Sequence, residues 1–239
     1  MKYVIVYSFI FCAALYSCGV STRSLPVFLA DDGGSTRSRN GTEMYWAPED
    51  FPLRVIVDED VDPITYLSVL VATIEWNNAV GHELFEVFTA PTEDINPREC
   101  RTIIVRRYDI QEVLNTPEVW DAFHRGRTHP GSSQFCLGYI AMDDEPSDEW
   151  LIPIFVHELG HSLGLAHDGI ESSIMYPTIR GSRVTKSIQE EDIRRVRAMA
   201  EGNFSPRRAP WLADRPTGLW TLTPHTDYRP LPLSWQLTH

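Results

Sequence analysis

The sequence predicts an α/β (α+β) sandwich: a mixed β-sheet with helices packed on one face. Three observations carry this. A short β-branched run is followed by a long helical pattern, then by further strand-like runs and two more helical stretches, the order expected of two packed layers. The chain of 239 residues is of ordinary single-domain size, with room for a real core. Its composition, 43% hydrophobic and 23% charged, is that of a globular protein.

The N-terminus stands apart from that domain. In "MKYVIVYSFIFCAALYSCG" a single Lys2 precedes an apolar run to about Tyr16, followed by small residues, which is the pattern of an export signal over residues 1–18. Its end, "LYSC", is similar to a bacterial lipoprotein signal with Cys18 as the lipidated residue; Tyr16 departs from the usual small or aliphatic residue there. Cleavage and release is the alternative. Either reading exports the protein, as an outer-membrane or cell-surface lipoprotein or as a secreted one. Residues 19–43, rich in Ser, Thr, Gly and charge, read as a flexible tether.

The domain proper is expected over residues 44–202. "PLRVIVD" (52–58) is apolar and β-branched and predicts a strand. In "VDPITYLSVLVATIEWNNAV" Asp62 is placed as N-cap and Pro63 as first helical residue, with Ile64, Leu67, Val71 and Ile74 at helical spacing as the buried stripe. "LFEVFTA" (84–90), "RTIIVRRY" (101–108) and "LGYIAMD" (137–143) predict further strands, whereas 109–136 read as loop with a short helix near Glu118–Phe123. "SIQEEDIRRVRAMAEG" predicts a last helix. It has a capping box from Ser187 and Glu190, a buried stripe of Ile193, Val196 and Ala200, and ion pairs Glu190–Arg194 and Glu191–Arg195 on its solvated face. Residues 203–239 hold six of the 17 prolines and three of the seven tryptophans, a density that prevents regular secondary structure. Those tryptophans are expected to pack on the domain, or else on a partner.

Charge and cysteines narrow the class of function. A formal net charge of −12 argues against nucleic acid as a partner, because phosphate binding needs a basic surface. No interior run of about 20 apolar residues is present, so membrane attachment is expected only through an N-terminal lipid. With Cys12 and Cys18 in the signal, Cys100 and Cys136 remain. In an oxidising compartment they suggest a disulfide contributing roughly 3–4 kcal/mol, with two buried thiols as the other reading.

The chemistry concentrates in "IPIFVHELGHSLGLAHDG" (152–169), which holds three of the eight histidines. On a helix over 154–163, His157 and His161 are one turn apart on one face, close enough to reach one ion. Gly164 ends that helix, since glycine adopts left-handed angles at little cost, and the turn brings His167 back to the same point. Three neutral imidazoles with a fourth position left to water form the ligand set of a catalytic zinc rather than a structural one. Zinc lowers the pKa of its bound water toward about 7. Glu158 points off the ligand axis, where it is placed as the general base for that water and not as a ligand. Five fixed residues of eleven arise by chance in such a chain roughly once in 10⁵.

H-E-x-x-H-x-x-G-x-x-H, with "SSIMYP" (172–177) downstream, resembles the metzincin zinc endopeptidases, and Met-Tyr-Pro is similar to their matrixin (matrix metalloproteinase) branch. The resemblance covers about residues 45–202. It implies a mostly parallel twisted sheet packed against two long helices, with a small C-terminal subdomain holding the Met-turn and last helix. It further implies Met175 as an apolar floor under the metal, Tyr176 and Pro177 in the S1′ wall, with Tyr176 not a ligand, and "TIRGSRVTK" continuing that wall. "MDDEP" looks like the acidic segment before the zinc helix. Clustered oxygens of Asp143, Asp144 and Glu145 suit calcium, with a solvated acidic turn as the alternative.

The sequence departs from the family in several places. Asp168 follows the third histidine, where most vertebrate matrixins have serine. His124 and His129 lack the pattern of a second, structural zinc and read as loop histidines. "SCGVSTR" (17–23) shares only Cys-Gly with the matrixin activation switch, so latency by that route is not expected.

The function these residues imply is that of an exported, monomeric zinc metalloendopeptidase acting on extended protein and peptide substrates through Glu158-assisted attack of zinc-bound water. The substrate would pair with a sheet edge near Tyr139–Met142. The alternative is a catalytically silent zinc-binding surface module on the same scaffold.

Overall fold

The computed structural model describes residues 42–91, 100–107, 122–142, 148–177 and 185–207, together with Ile95 and Ile179. Among these residues five strands, β1 (Leu53–Asp58), β2 (Phe85–Ala90), β3 (Thr102–Arg107), β4 (Ala122–Thr128) and β5 (Phe135–Met142), form one sheet in the order β2-β1-β3-β5-β4. All neighbours run parallel except β4, which lies antiparallel to β5 at the edge. Among the described residues three α-helices, α1 (Pro63–Val80), α2 (Leu151–Ser162) and α3 (Glu190–Ala200), join this sheet in a mixed α/β architecture. Among the described residues no helix is long and apolar enough to cross a membrane.

One core joins the layers. Leu53, Val55 and Val57 of β1, Ile103 and Val105 of β3, and Ile140 and Met142 of β5 alternate along their strands onto the sheet face that meets Val69, Ala72 and Trp76 of α1 and Phe155 and Leu159 of α2. The Met-turn and last helix share this core through Ile174, Met175, Val196 and Met199. α1 starts as expected: the Asp62 carboxylate accepts from the amides of Ile64 and Thr65, and Gly81 at φ 76° ends it.

Several expectations are corrected by tertiary packing. Ile64, Leu67, Val71 and Ile74 are not the buried stripe of α1; they are 49%, 55%, 36% and 47% exposed, and the buried side is Thr65, Ser68, Val69, Ala72, Thr73, Trp76 and Val80. An apolar helix offers two usable faces, and periodicity cannot choose between them. The end of the loop read over 109–136 is strand: Ala122 and Phe123 belong to β4, not to a short helix. β4, "AFHRGRT", lacks an apolar β-branched run and exists through its ladder with β5, a non-local cause. Residues 109–121 lie outside the described residues.

The last helix also begins later than its capping box implies. Gln189 is the N-cap, with no side-chain cap bond, because the Ser187 backbone is taken up by Ser172 and Ile174. Its buried residues are Asp192, Val196 and Met199, with Ile193 and Ala200 half-buried. The ion pairs differ too: Arg194 pairs with Glu191, and Arg195 turns inward to Glu43 at 3.4 Å. Glu43, assigned from sequence to the tether, is 1% exposed and also meets Arg207 at 3.2 Å.

Candidate metal centre and catalytic site

α2 carries the first two histidines. Leu163 caps it through bonds to Leu159 and Gly160, and Gly164 turns the chain at φ 86°. The glycine is required twice over, since a Cβ there would also meet the Met44 carbonyl oxygen at 2.7 Å. The amide of Leu165 returns to the Gly160 carbonyl at 3.0 Å, and the reversed chain delivers His167. The three Nε2 atoms then form a triangle, with His157 and His161 3.1 Å apart, His161 and His167 3.1 Å, and His157 and His167 3.2 Å.

Backbone carbonyls fix the tautomers. His157 Nδ1 donates to the Ile174 carbonyl at 2.7 Å, and His161 Nδ1 donates to the Leu165 carbonyl at 2.8 Å. A carbonyl only accepts, so each Nδ1 carries the proton and each Nε2 presents a lone pair. Burial lowers all three pKa values, His157 to about 4, His161 well below the usual range and His167 below its ordinary value; for His167 the neighbouring Asp168 opposes the shift. Neutral imidazoles with facing lone pairs repel one another unless a cation lies between them. Tetrahedral zinc at about 2.0–2.1 Å from each nitrogen would set them about 3.3 Å apart, close to the observed spacing. The donor set therefore fits one divalent ion.

Glu158, next to the first histidine, is 6% exposed, and its Oε2 has no hydrogen-bond partner. Burial pushes this carboxyl up to about 8, and a cation held by the histidines would oppose that shift. A buried carboxylate oxygen without a partner is costly, and such groups concentrate at functional sites.

Met175 is fully buried and stands against Gly160 of α2. Its turn is bonded on both sides: Asp168 donates its amide to the Met175 carbonyl at 3.0 Å, and Ile174 donates to Ser187 at 2.8 Å. Gly160, between the two helical histidines, is the residue the sequence reading passed over. A Cβ there would collide with Met175 Sδ and stand 3.2 Å from both Met175 Cε and Trp76 Cζ2. The signal was present in the sequence, since a glycine inside a helix costs about 1 kcal/mol relative to alanine and marks a close approach. Two tryptophans anchor α2 from outside: Trp76 donates to the Val156 carbonyl at 2.8 Å and Trp46 to the Ser162 carbonyl at 2.7 Å.

The other expected site residues are distributed as follows. Tyr176 is half-buried with the Lys186 ammonium 4.3 Å from its ring centroid, and Pro177 is exposed. Thr178 and residues 180–184 of the expected pocket wall lie outside the described residues, as do Cys18, Asp143, Asp144 and Glu145. Cys100 and Cys136 form a disulfide. His129 lies within ligand distance of both sulfurs, but their own bond leaves no thiolate for a metal. His129 sits just past β4, where its amide donates to Gln134; His124 is not a loop histidine but lies in β4, its ring 6.3 Å from that of His161. The sheet edge also moves: β5, with Tyr139–Met142, is flanked by β3 and β4, so among the described residues the edge strand beside His161 is β4.

Fold and site together bring His157, His161 and His167 to one point as a candidate metal centre. Residues 106–200 match the matrixin peptidase family. Rat matrilysin is 38% identical over 73 residues, covering 30% of this chain and 27% of the relative. Arabidopsis metalloendoproteinase 2-MMP is 37% identical over 59 residues, covering 24% and 16%. The solved structure of high choriolytic enzyme 1, a hatching-enzyme zinc protease from medaka, aligns over 66% of this chain and 94% of its own at 12% identity. The TM-score of that alignment is 0.38. Over residues 106–200 the chain is similar to the matrixin peptidases, and it spans about a quarter or less of the length of these two curated relatives.

Proposed function

We propose that the protein is an exported zinc-dependent endopeptidase, with residues 44–202 as its catalytic domain. The observation that carries the reading is the triangle of Nε2 lone pairs with the buried Glu158 carboxylate beside it. His157, His161 and His167 would hold the metal, which when bound supplies Lewis acidity toward a scissile carbonyl and lowers the pKa of water. Glu158 takes a proton from the attacking water and passes it to the leaving amine. The carbonyls of Ile174 and Leu165 hold His157 and His161 with their Nε2 atoms forward, and Met175 closes the floor against Gly160. β4, the edge strand beside the site among the described residues, would align an extended substrate strand, and Tyr176 and Pro177 wall the pocket for one of its side chains.

The signal at residues 1–18 supports export, with Cys18 as the site of lipid attachment and the domain acting as a monomer. The test uses purified protein with denatured casein or gelatin. The expected result is chelator-sensitive cleavage by the wild type, and a Glu158→Ala variant that binds one zinc per chain but cleaves at least about 10³-fold more slowly. Stoichiometric zinc with no cleavage of any peptide library by the wild type would instead mark a catalytically silent binding module. A Glu158→Ala variant as active as the wild type would remove the proposed base.

A further inference from the structure

α1 has a property that its place in the fold does not explain. Over Pro63–Val80 its only charged residue is Glu75, and its apolar residues are spread around the helix rather than gathered on one face. Such helices are normally buried all round. Here only one side meets the core; Ile64, Leu67, Val71 and Ile74 follow one another at three- and four-residue spacing on the outer side, each 36–55% exposed. We infer that this outer face of α1 is a docking surface, and that its occupant is the chain's own C-terminal segment, residues 208–239.

Other occupants fit less well. Four side chains of this size at that exposure present on the order of 300 Å². Two copies facing each other would therefore bury about half of the roughly 1,200 Å² at the low end of stable interfaces. A lipid surface is recruited by helices bearing Lys and Arg, whereas α1 has neither and is preceded by Asp58, Glu59, Asp60 and Asp62.

The C-terminal segment matches the surface in chemistry and in reach. It contains Trp211, Trp220 and Trp235, six leucines and five prolines, with charges nearly balanced. A proline-rich run cannot continue as helix, and extended it presents its large side chains to a hydrophobic groove with little entropy left to lose. The chain leaves α3 beside the C-terminal end of α1, where Arg197 donates to the Val80 carbonyl at 2.9 Å and Glu201 meets His82 at 3.3 Å. Arg207 is then tied to Glu43. A chain of 32 residues, as 208–239 is, can reach on the order of 100 Å when fully extended, against about 27 Å for the length of α1. A tethered segment docks at high effective concentration, so a face too small for a second molecule is sufficient.

The test uses the full chain carrying Glu158→Ala to prevent self-cleavage. A photo-crosslinking benzoyl-phenylalanine is placed at Leu67 and, separately, at Ile74. The expected result is crosslinking within one chain to peptides of 208–239, independent of protein concentration. The same probe at Phe88, on strand β2, should not capture that segment. Crosslinks joining two copies, crosslinks confined to other regions, or equal capture from Phe88 would each overturn the inference. In a second measurement, Leu67→Glu/Ile74→Glu should speed chymotryptic cleavage after Trp220 by about tenfold or more. An unchanged rate would also overturn it. Both positions are exposed, so the domain fold is retained.

Discussion

Adding one methyl group to Gly160 tests whether the Met-turn is pressed against the metal-binding helix. The new Cβ would enter the space of Met175 Sδ and crowd Trp76 Cζ2 at 3.2 Å. Neither neighbour has free room: both are fully buried, and Trp76 is held by its bond to the Val156 carbonyl. Met175 must therefore move, and with it the adjoining Ile174 carbonyl that orients His157. Overpacking of this kind costs about 1–3 kcal/mol. Replacing glycine by alanine in a helix returns about 1 kcal/mol, so the net loss for Gly160→Ala is up to about 2 kcal/mol, with weakened zinc affinity. Urea unfolding of the wild type, each single variant and the Gly160→Ala/Met175→Ala double variant measures it, with zinc competition alongside. In the Met175→Ala background the methyl group fills space instead of clashing, so the Gly160→Ala effect should shrink or change sign. Gly169→Ala, with nothing within 4 Å of its Cβ, serves as control. A Gly160→Ala protein about 1 kcal/mol more stable than wild type would refute the contact, since propensity alone would then be acting.

Three further outcomes are expected. Trp46→Phe leaves the Ser162 carbonyl without its donor inside the core and should cost about 1–3 kcal/mol, read as a lower urea midpoint; no change would show that the bond is dispensable. Replacing Cys100 and Cys136 by alanine opens a loop spanning 36 positions and should cost about 4 kcal/mol in the chain-entropy model, measured by thermal unfolding with and without reductant for the wild type. For Asp192, burial first and Asp168 second push the carboxyl up to about 6 from 3.8. The folded state therefore holds the proton more tightly, and this group's contribution is fully present at low pH and lost as pH rises through about 6. Asp192→Asn should gain on the wild type by up to about 3 kcal/mol between pH 4 and pH 7, and a pH-independent difference would contradict the assignment.

How much was legible depended on whether the cause was local. The His157, His161 and Gly164 arrangement follows from helical spacing and from glycine's access to positive φ, so its geometry was readable in eleven residues. Asp62, Pro63 and Gly81 likewise bracket α1 through their own backbone preferences. β4 was not readable, because "AFHRGRT" has no strand periodicity and is ordered by pairing with β5. The place of His124 beside His161 was lost with it. The capping box at Ser187 failed for the same kind of reason: a locally valid motif was overridden when the Ser187 backbone bridged to the Met-turn.

The sequence by itself determined the ligand types, their spacing, the turn that brings the third back, and the start and end of the long helix, all of which act over a few residues. Only the tertiary structure decided which face of α1 is buried, which strand lies at the sheet edge among the described residues, and that Glu43 and Trp46, from the region before the first strand, anchor α3 and α2. Those choices depend on contacts between different segments of the chain, some of them a hundred or more residues apart, as with Trp46 and Ser162, separated by 116 positions. Local propensity carries no information about such pairs, because their energy exists only once the layers have packed.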